Sequence, residues 1–190
     1  QNFIKEPLIS EPQVTRVIEN GYRDLQSALT ALYPGELVLT LASEVIFPRM
    51  VKEITAINGV PNETLVPRVL GENMCVPFGR ILRERVIPNT VTKTLHTDTV
   101  YSQDLSDYTV GPFEGYPPLR NQVRMLHSFD RPVILVDDIM NIGKRFAALD
   151  ELLREEQVPI RKMVFAVMTG VGRDRMARRG IDSDSVYYIP

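Results

Sequence analysis

Two adjacent aspartates at the end of an apolar run are the residues best placed to do chemistry in this chain. The run VILV (residues 133–136) is followed directly by Asp137 and Asp138. An ionised carboxylate only accepts hydrogen bonds, so a vicinal diol, which offers two donors, is a natural partner for it. We therefore expect this acidic pair to contact sugar hydroxyls. A plainer alternative stays open, in which one aspartate caps the following helix and the other is solvated.

The loop after the acidic pair favours a phosphate group. It consists of Asn141, Ile142, Gly143, Lys144 and Arg145 and leads into a predicted helix. Backbone amides at a helix N-terminus bind phosphate, and a glycine allows close approach or a positive φ. The two cations would add charge, although an exposed pair with no ligand is an equal alternative. Diol acceptors followed by a phosphate cradle predict a site for a ribose 5-phosphate.

The C-terminal third contains the elements that must position this site. After the run at 133–136 come a helix in RFAALDELLREEQ, a strand in KMVFAVMTG, a basic helix in GRDRMARRG and a last strand in SVYYIP. Continuous apolar strands that alternate with helices predict an α/β fold, with a parallel sheet covered by helices on both faces. Ligands of such sheets bind outside the carboxyl ends of the strands, which is where the acidic pair is expected.

The rest of the chain gives weaker patterns. The expected elements are a helix over residues 12–32 interrupted near Gly21, a strand at 37–41, and a helix from Pro48 to about Gly59. The run VPFGRILRERVIP predicts a short helix, residues 89–101 a strand or pair of strands, 102–119 a long loop, and 118–128 a helix. The 190 residues are predicted to form a single domain, a piece of a longer polypeptide.

Composition excludes several classes of site. The 22 basic and 24 acidic side chains nearly balance, so nucleic acid is not an expected partner. One cysteine and two histidines exclude an intrachain disulfide and disfavour a zinc or multi-histidine site. No apolar run approaches the roughly 20 residues of a membrane span, and no signal peptide is visible, so a cytoplasmic protein is expected.

The stretch VILVDDIMNIGKR resembles the phosphoribosyl pyrophosphate (PRPP) motif of the type I phosphoribosyltransferases. The resemblance implies a phosphoribosyltransferase-like fold with small N-terminal or hood elements, which we expect in residues 2–33 and 111–118. It makes Asp137 and Asp138 the candidate catalytic residues, in contact with the ribose hydroxyls, and assigns the 5-phosphate to the loop at 141–145. It also implies Mg²⁺ bridged by the substrate, and displacement of pyrophosphate by a nitrogen nucleophile.

The chain departs from that pattern at three places. Ile142 and Arg145 stand where the family usually has hydroxyl residues. The pyrophosphate loop should follow the first core strand, and the stretch expected there, TLASEVIF, offers Ser43 as a donor but also Glu44, which would repel pyrophosphate. The sugar-phosphate half of the site therefore matches the family's pattern more closely than the pyrophosphate half.

Three functions remain open from the sequence. The first is a phosphoribosyltransferase, and the second is a non-catalytic domain of the same fold that senses a nucleotide or sugar phosphate. The third is an interaction module in which the acidic pair is only structural. A homodimer or further domains of a longer chain are partners left open. Lys93 and His96 are minor catalytic candidates, because a lone histidine on a threonine-rich strand is more often structural.

Overall fold

The computed structural model describes residues 7–83 and 85–190. The chain divides into one unit that ends at Ala42 and a second from Ser43 to Pro190, and each is described by itself. Whether residues 1–190 act as a single domain stays a prediction. Residues 2–6 of the expected hood segment lie outside the described residues.

The first unit is dominated by one helix. A short 3-10 turn at Leu8–Ser10 precedes α1, Pro12–Leu32. The helix runs through Gly21 without the predicted interruption, because a single glycine costs only about 1 kcal/mol of helix stability. The strand predicted at residues 37–41 was also wrong: these residues are irregular, since no described neighbour pairs with them.

The second unit contains a parallel sheet and a hairpin. Its elements are α2 (Ser43–Ile57), β1 (Met74–Pro77), β2 (Thr97–Tyr101), β3 (Tyr108–Pro112), α3 (Leu119–His127), β4 (Val133–Met140), α4 (Lys144–Glu155), β5 (Ile160–Thr169), α5 (Gly170–Arg178) and β6 (Ser183–Ile189). The sheet has the order β1-β4-β5-β6 with every pair parallel, and β2 and β3 form an antiparallel ladder.

Helices cover both faces of this sheet, so the predicted fold class is confirmed. Residues of α3, α4 and α5 pack on one face around Val76, Leu135 and Phe165. On the other face α2 packs against Ile134 and Val164. Successive side chains of a strand point to opposite faces, so a strand buried on both sides must be apolar throughout, as β4 is up to Val136.

Four boundaries differ from the sequence-based expectation. The described residues of VPFGRILRERVIP form no helix: β1 ends at Pro77, paired with the first half of β4, and turns follow it. α2 begins at Ser43, with Pro48 inside it, rather than after that proline. The predicted loop at 102–119 contains β3. Finally, β4 continues past the acidic pair to Met140, which pairs with Met168 of β5.

No described helix combines the length and the apolar character that crossing a membrane would require.

Candidate functional site

The acidic pair lies in the second half of β4, two residues before its carboxyl end. Asp137 is only 2% exposed, whereas the side chain of Asp138 is 45% exposed. The alternation of the strand explains the difference, since neighbouring side chains point to opposite sides. Each carboxylate also accepts the next backbone amide: Asp138 N donates to Asp137 Oδ1 at 2.9 Å, and Ile139 N to Asp138 Oδ1 at 2.9 Å. Both side chains are therefore held in fixed orientations.

Arg145, in the first turn of α4, reaches back across the acidic pair. Its Nη1 atom lies 2.8 Å from Asp137 Oδ1, 3.0 Å from Asp137 Oδ2 and 3.2 Å from Asp138 Oδ1. One nitrogen thus contacts three carboxylate oxygens. The sequence assigned Arg145 to phosphate, and the structure instead brings its guanidinium to the aspartates.

Burial dominates the electrostatics of Asp137. Loss of solvent and, to a smaller extent, the neighbouring Asp138 raise the pKa of this carboxyl to about 8, although Arg145 opposes the rise. Burial alone would also raise the pKa of Asp138, but a hydrogen bond from Asp137 and the charge of Arg145 bring it below its usual value. At neutral pH the pair therefore carries close to one negative charge, on Asp138.

A second loop packs directly against the acidic pair. This arginine loop, residues 78–83, follows β1, and at its start a Cβ added to Gly79 would lie 1.7 Å from Asp137 Oδ1. Thr97 Oγ1 donates to Phe78 O at 2.6 Å, and Arg83 Nε donates to Gly79 O at 3.0 Å. Leu82 is held at φ +56, a conformation that is costly for a bulky residue. The loop is thus fixed against the pair by a contact that only glycine allows.

The arginine loop carries positive charge that the described residues leave unpaired. Burial lowers the pKa of Arg83, as do the nearby charges of Arg80 and Arg145, while Tyr116 and Asp98 oppose this. Within residues 7–83 and 85–190, neither Arg80 nor Arg83 forms an ion pair with a carboxylate. A cluster of like charges at the end of a parallel sheet attracts anions.

The glycine loop, residues 141–143, joins β4 to α4 as predicted. Gly143 adopts the left-handed conformation with φ +68 immediately before the helix. Asn141 Oδ1 accepts from Thr169 Oγ1 at 3.1 Å, and Arg175 donates to the Ile142 carbonyl. Ile142 itself is 47% exposed, so no hydroxyl group reaches outward at that position. Whether this loop binds a phosphate stays a prediction.

Lys144 and Ser43 make their contacts away from the acidic pair and the other candidate site residues. Lys144 pairs with Asp107 and lies 4.9 Å from the centroid of the Tyr108 ring, on the β2–β3 hairpin. Ser43 begins α2 and donates to Glu44 Oε1 at 3.2 Å. The stretch TLASEVIF does not follow a core strand, whereas the arginine loop follows β1. Whether Ser43 contacts a ligand stays a prediction.

Sequence reasoning missed Gly79, Arg80, Arg83 and Tyr116. The signal for the first three was a glycine and two arginines directly after an apolar run, in a stretch where a helix was predicted instead. Tyr116 stacks on His96 with ring centroids 3.7 Å apart, and Gln122 Oε1 accepts from His96 N at 2.7 Å. Burial, Arg83 and Lys93 lower the pKa of His96, which favours its neutral form.

No group of three or more metal-ligating side chains comes together among the described residues. Two carboxylates at a strand end fit the oxygen chemistry of Mg²⁺, which takes few protein ligands when substrate oxygens supply the rest.

No family model and no curated protein matches this chain. Several solved structures do match it. Among the solved structures, the AQ2163 protein from Aquifex aeolicus matches with a TM-score of 0.47 and 15% identity, over 77% of this chain and 74% of its own. The hypoxanthine phosphoribosyltransferase from Trypanosoma cruzi matches with a TM-score of 0.45 and 14% identity, over 83% and 79%. The adenine phosphoribosyltransferase from Thermoanaerobacter pseudethanolicus matches with 0.42 and 11%, over 83% and 92%.

Two of these three matches are phosphoribosyltransferases, the family whose motif the stretch VILVDDIMNIGKR resembles. All three TM-scores are below 0.5, and the likeness therefore says nothing about what this chain binds or converts.

Proposed function

We propose that the carboxyl end of the sheet binds a ribose 5-phosphate moiety, as part of PRPP or a nucleotide, and transfers the phosphoribosyl group to a nitrogen acceptor. One observation supports this most strongly. The acidic pair, which suits sugar hydroxyls, is in direct contact through Gly79 with a loop whose arginines suit pyrophosphate.

The acidic pair would receive the ribose. Asp138 is ionised, partly exposed and oriented by the Ile139 amide, so it has oxygen lone pairs left to accept from a hydroxyl. Asp137, protonated for most of the time at pH 7, would donate one hydrogen bond as well as accept. The 5-phosphate would then meet the glycine loop and the amides that open α4.

The arginine loop would receive the pyrophosphate. Arg80 and Arg83 would stabilise the negative charge that develops as the bond from the anomeric carbon to pyrophosphate breaks. Mg²⁺ carried in with the substrate would neutralise pyrophosphate oxygens, and Asp138 is the residue that would hold it. Positioning of the acceptor against the sugar would supply the remaining rate enhancement.

A non-catalytic sensor is the second candidate, and Arg145 is the observation that favours it. Its guanidinium already contacts the carboxylate oxygens that a ribose diol needs, so a ligand must displace or share it. A ligand that frees the Arg145 side chain from the aspartates would change the conformation of the protein, which suits a sensor as well as an enzyme.

Calorimetric titration with PRPP, ribose 5-phosphate and AMP, each with Mg²⁺, tests the proposal. We expect PRPP to bind at least about tenfold more tightly than ribose 5-phosphate, a difference of about 1.4 kcal/mol. Asp138→Asn should weaken both ligands, whereas Arg80→Ala combined with Arg83→Ala should remove only the preference for PRPP. Arg154→Ala is the control, because this arginine lies on α4 with its side chain 65% exposed.

The outcomes separate the candidates. A preference for PRPP that depends on Arg80 and Arg83 justifies a screen of nitrogen acceptors for pyrophosphate release. Equal affinity for PRPP and ribose 5-phosphate, or a preference for AMP, favours the sensor. No heat with any ligand contradicts the site itself.

A further inference from the structure

Arg145 occupies the acidic pair from within the protein. Its Nη1 atom contacts three of the four carboxylate oxygens: Asp137 Oδ1, Asp137 Oδ2 and Asp138 Oδ1. The two Oδ1 atoms also accept a backbone amide each, so both of their lone pairs are in use. Asp138 Oδ2 is thus the carboxylate oxygen that no described N–H donor contacts. A vicinal diol brings two donors and needs two acceptors, so it cannot bind this pair fully while Arg145 stays in place.

The acidic pair is held in its orientation without the help of Arg145. The Asp138 amide donates to Asp137 Oδ1 at 2.9 Å, and the Ile139 amide donates to Asp138 Oδ1 at 2.9 Å. Both bonds lie within β4, and the strand is fixed there because Asp137 is paired with Phe165 of β5. Departure of the guanidinium would therefore free acceptor oxygens that already point in a set direction.

The start of α4 needs a cation if it is to hold a phosphate tightly, because Ile142 supplies no hydroxyl donor. Two of the three cations described around the glycine loop are engaged elsewhere. Lys144 pairs with Asp107, and Arg175 donates to the Ile142 carbonyl. The third is Arg145, in the first turn of the helix, whose partners are the same oxygens that a diol would take. Guanidinium and phosphate groups form paired, charge-assisted hydrogen bonds, so a phosphate could replace those partners.

We propose that Arg145 exchanges partners when a ligand binds: the ribose diol takes the acidic pair, and the released guanidinium takes the 5-phosphate. The inference rests on the proposed ribose 5-phosphate site and adds a rule of specificity to it. A ribose without a phosphate breaks the contacts of Arg145 and offers nothing in return, whereas a ribose 5-phosphate replaces them. Because a ligand shifts a conformation only by its differential affinity for the two states, Arg145 selects 5-phosphorylated ligands over free nucleosides.

Calorimetric titration with AMP and adenosine tests the exchange, because these two ligands differ only in the 5-phosphate. Adenosine should bind Arg145→Met at least about tenfold more tightly than it binds the natural chain, since its diol no longer competes with a guanidinium. AMP should bind the same variant at least about tenfold more weakly, since its phosphate loses a charge-assisted partner. Arg154→Met is the matched control: it makes the same change on α4 at a side chain that is 65% exposed, and it should alter neither affinity.

The signs of the two changes identify the role of Arg145. Opposite signs, with adenosine tighter and AMP weaker, support the exchange. Weaker AMP with unchanged adenosine would mean that Arg145 contacts the phosphate without competing for the acidic pair. Tighter binding of both ligands would mean that Arg145 only occupies the pair, and weaker binding of both would make it a structural residue. Each of these last three results overturns the exchange.

Nitrogen-15 NMR of the natural chain tests the exchange even if Arg145→Met fails to fold. The side-chain Nε–H signal of Arg145, assigned by its absence from Arg145→Lys, should move when AMP saturates the protein, because the guanidinium then leaves the carboxylates. A signal that stays in place with AMP bound would overturn the exchange.

Failure of the proposed function gives a different result. If neither the natural chain nor Arg145→Met binds AMP, ribose 5-phosphate or PRPP, both the proposed site and the exchange are overturned. If AMP binds the natural chain but the two affinity changes lack opposite signs, the ribose 5-phosphate site stands and the exchange alone is overturned.

Discussion

The buried carboxyl of Asp137 should make the protein less stable as pH rises, and Asp137→Asn should remove that dependence. The pKa of this group is about 8 in the folded protein and about 3.9 in an unfolded chain. Between these values the folded state holds about one proton more than the unfolded state. The stability that this extra bound proton gives the folded state is therefore fully present below pH 4 and is lost as pH rises towards 8.

The size of the effect follows from the shift. Each pH unit within the window costs about 1.4 kcal/mol of unfolding free energy, so roughly 4 kcal/mol is lost between pH 4 and pH 7. Asparagine keeps the shape and can still accept from the Asp138 amide. Its amide nitrogen would, however, face Arg145 Nη1, which costs about 1–3 kcal/mol at every pH. The pH slope, rather than absolute stability, is thus the quantity to compare.

Urea unfolding followed by circular dichroism from pH 6 to pH 8 gives this slope. Between pH 6 and pH 8, the free energy of unfolding of the natural chain should fall by about 2 kcal/mol relative to that of the variant. Asp174→Asn serves as control, because it makes the same change at a side chain that is 65% exposed. A constant difference between variant and natural chain would refute the reasoning, since it would mean that Arg145 keeps Asp137 ionised.

Three further predictions concern neighbouring contacts. Gly79→Ala should abolish ribose-phosphate binding in calorimetry while leaving the circular dichroism spectrum unchanged, because its Cβ would displace the Asp137 carboxylate; retained binding would contradict this. Arg145→Met should destabilise the protein more at pH 9 than at pH 6 in urea unfolding, by about 1.4 kcal/mol for each unit that the pKa of Asp137 rises, since Arg145 stabilises only its ionised form. An equal loss at both pH values would count against the ion pair. Gly172→Ala should lower the free energy of unfolding by about 1–3 kcal/mol in thermal unfolding, because its Cβ would lie 2.3 Å from the Met140 carbonyl oxygen. Gly180→Ala is the comparison: its Cβ would meet open space, so only the strain at φ +66 should count, at about 1 kcal/mol.

The C-terminal third was predictable because its pattern has one reading. β4 and β5 are apolar on both faces, and α4 between them repeats its apolar residues at helical spacing. Such strands must be buried and parallel, which places their carboxyl ends, and with them Asp137 and Asp138, at one edge.

β1 could not be predicted in the same way. Its four residues, Met74–Pro77, have little β-propensity and include a proline, and they form a strand only because the first half of β4 offers a partner. The more strand-like stretch at residues 37–41 lacks such a partner. Because β1 was not predicted, the loop expected after the first core strand was placed at Ser43 and not at residues 78–83.

The contact partners of the Lys144 and Arg145 side chains could not be predicted from the sequence either. The two cations are adjacent and chemically alike, but one pairs with Asp107 of the hairpin and the other with the acidic pair. Which way each long side chain turns depends on carboxylates that are 37 and 8 residues away in the chain.

The contact between Gly172 and the Met140 carbonyl has a consequence for transplanting this motif. The glycine loop rests on the start of α5, which also supplies Arg175 to the Ile142 carbonyl. Its backbone is therefore shaped by a segment some thirty residues downstream that contributes no group to the acidic pair. A peptide or graft carrying residues 133–146 alone would keep the acidic pair and the loop at 141–145 but lose the segment of α5 that holds this loop in place. For the loop itself, the smallest unit that can be transferred is the run from β4 to α5.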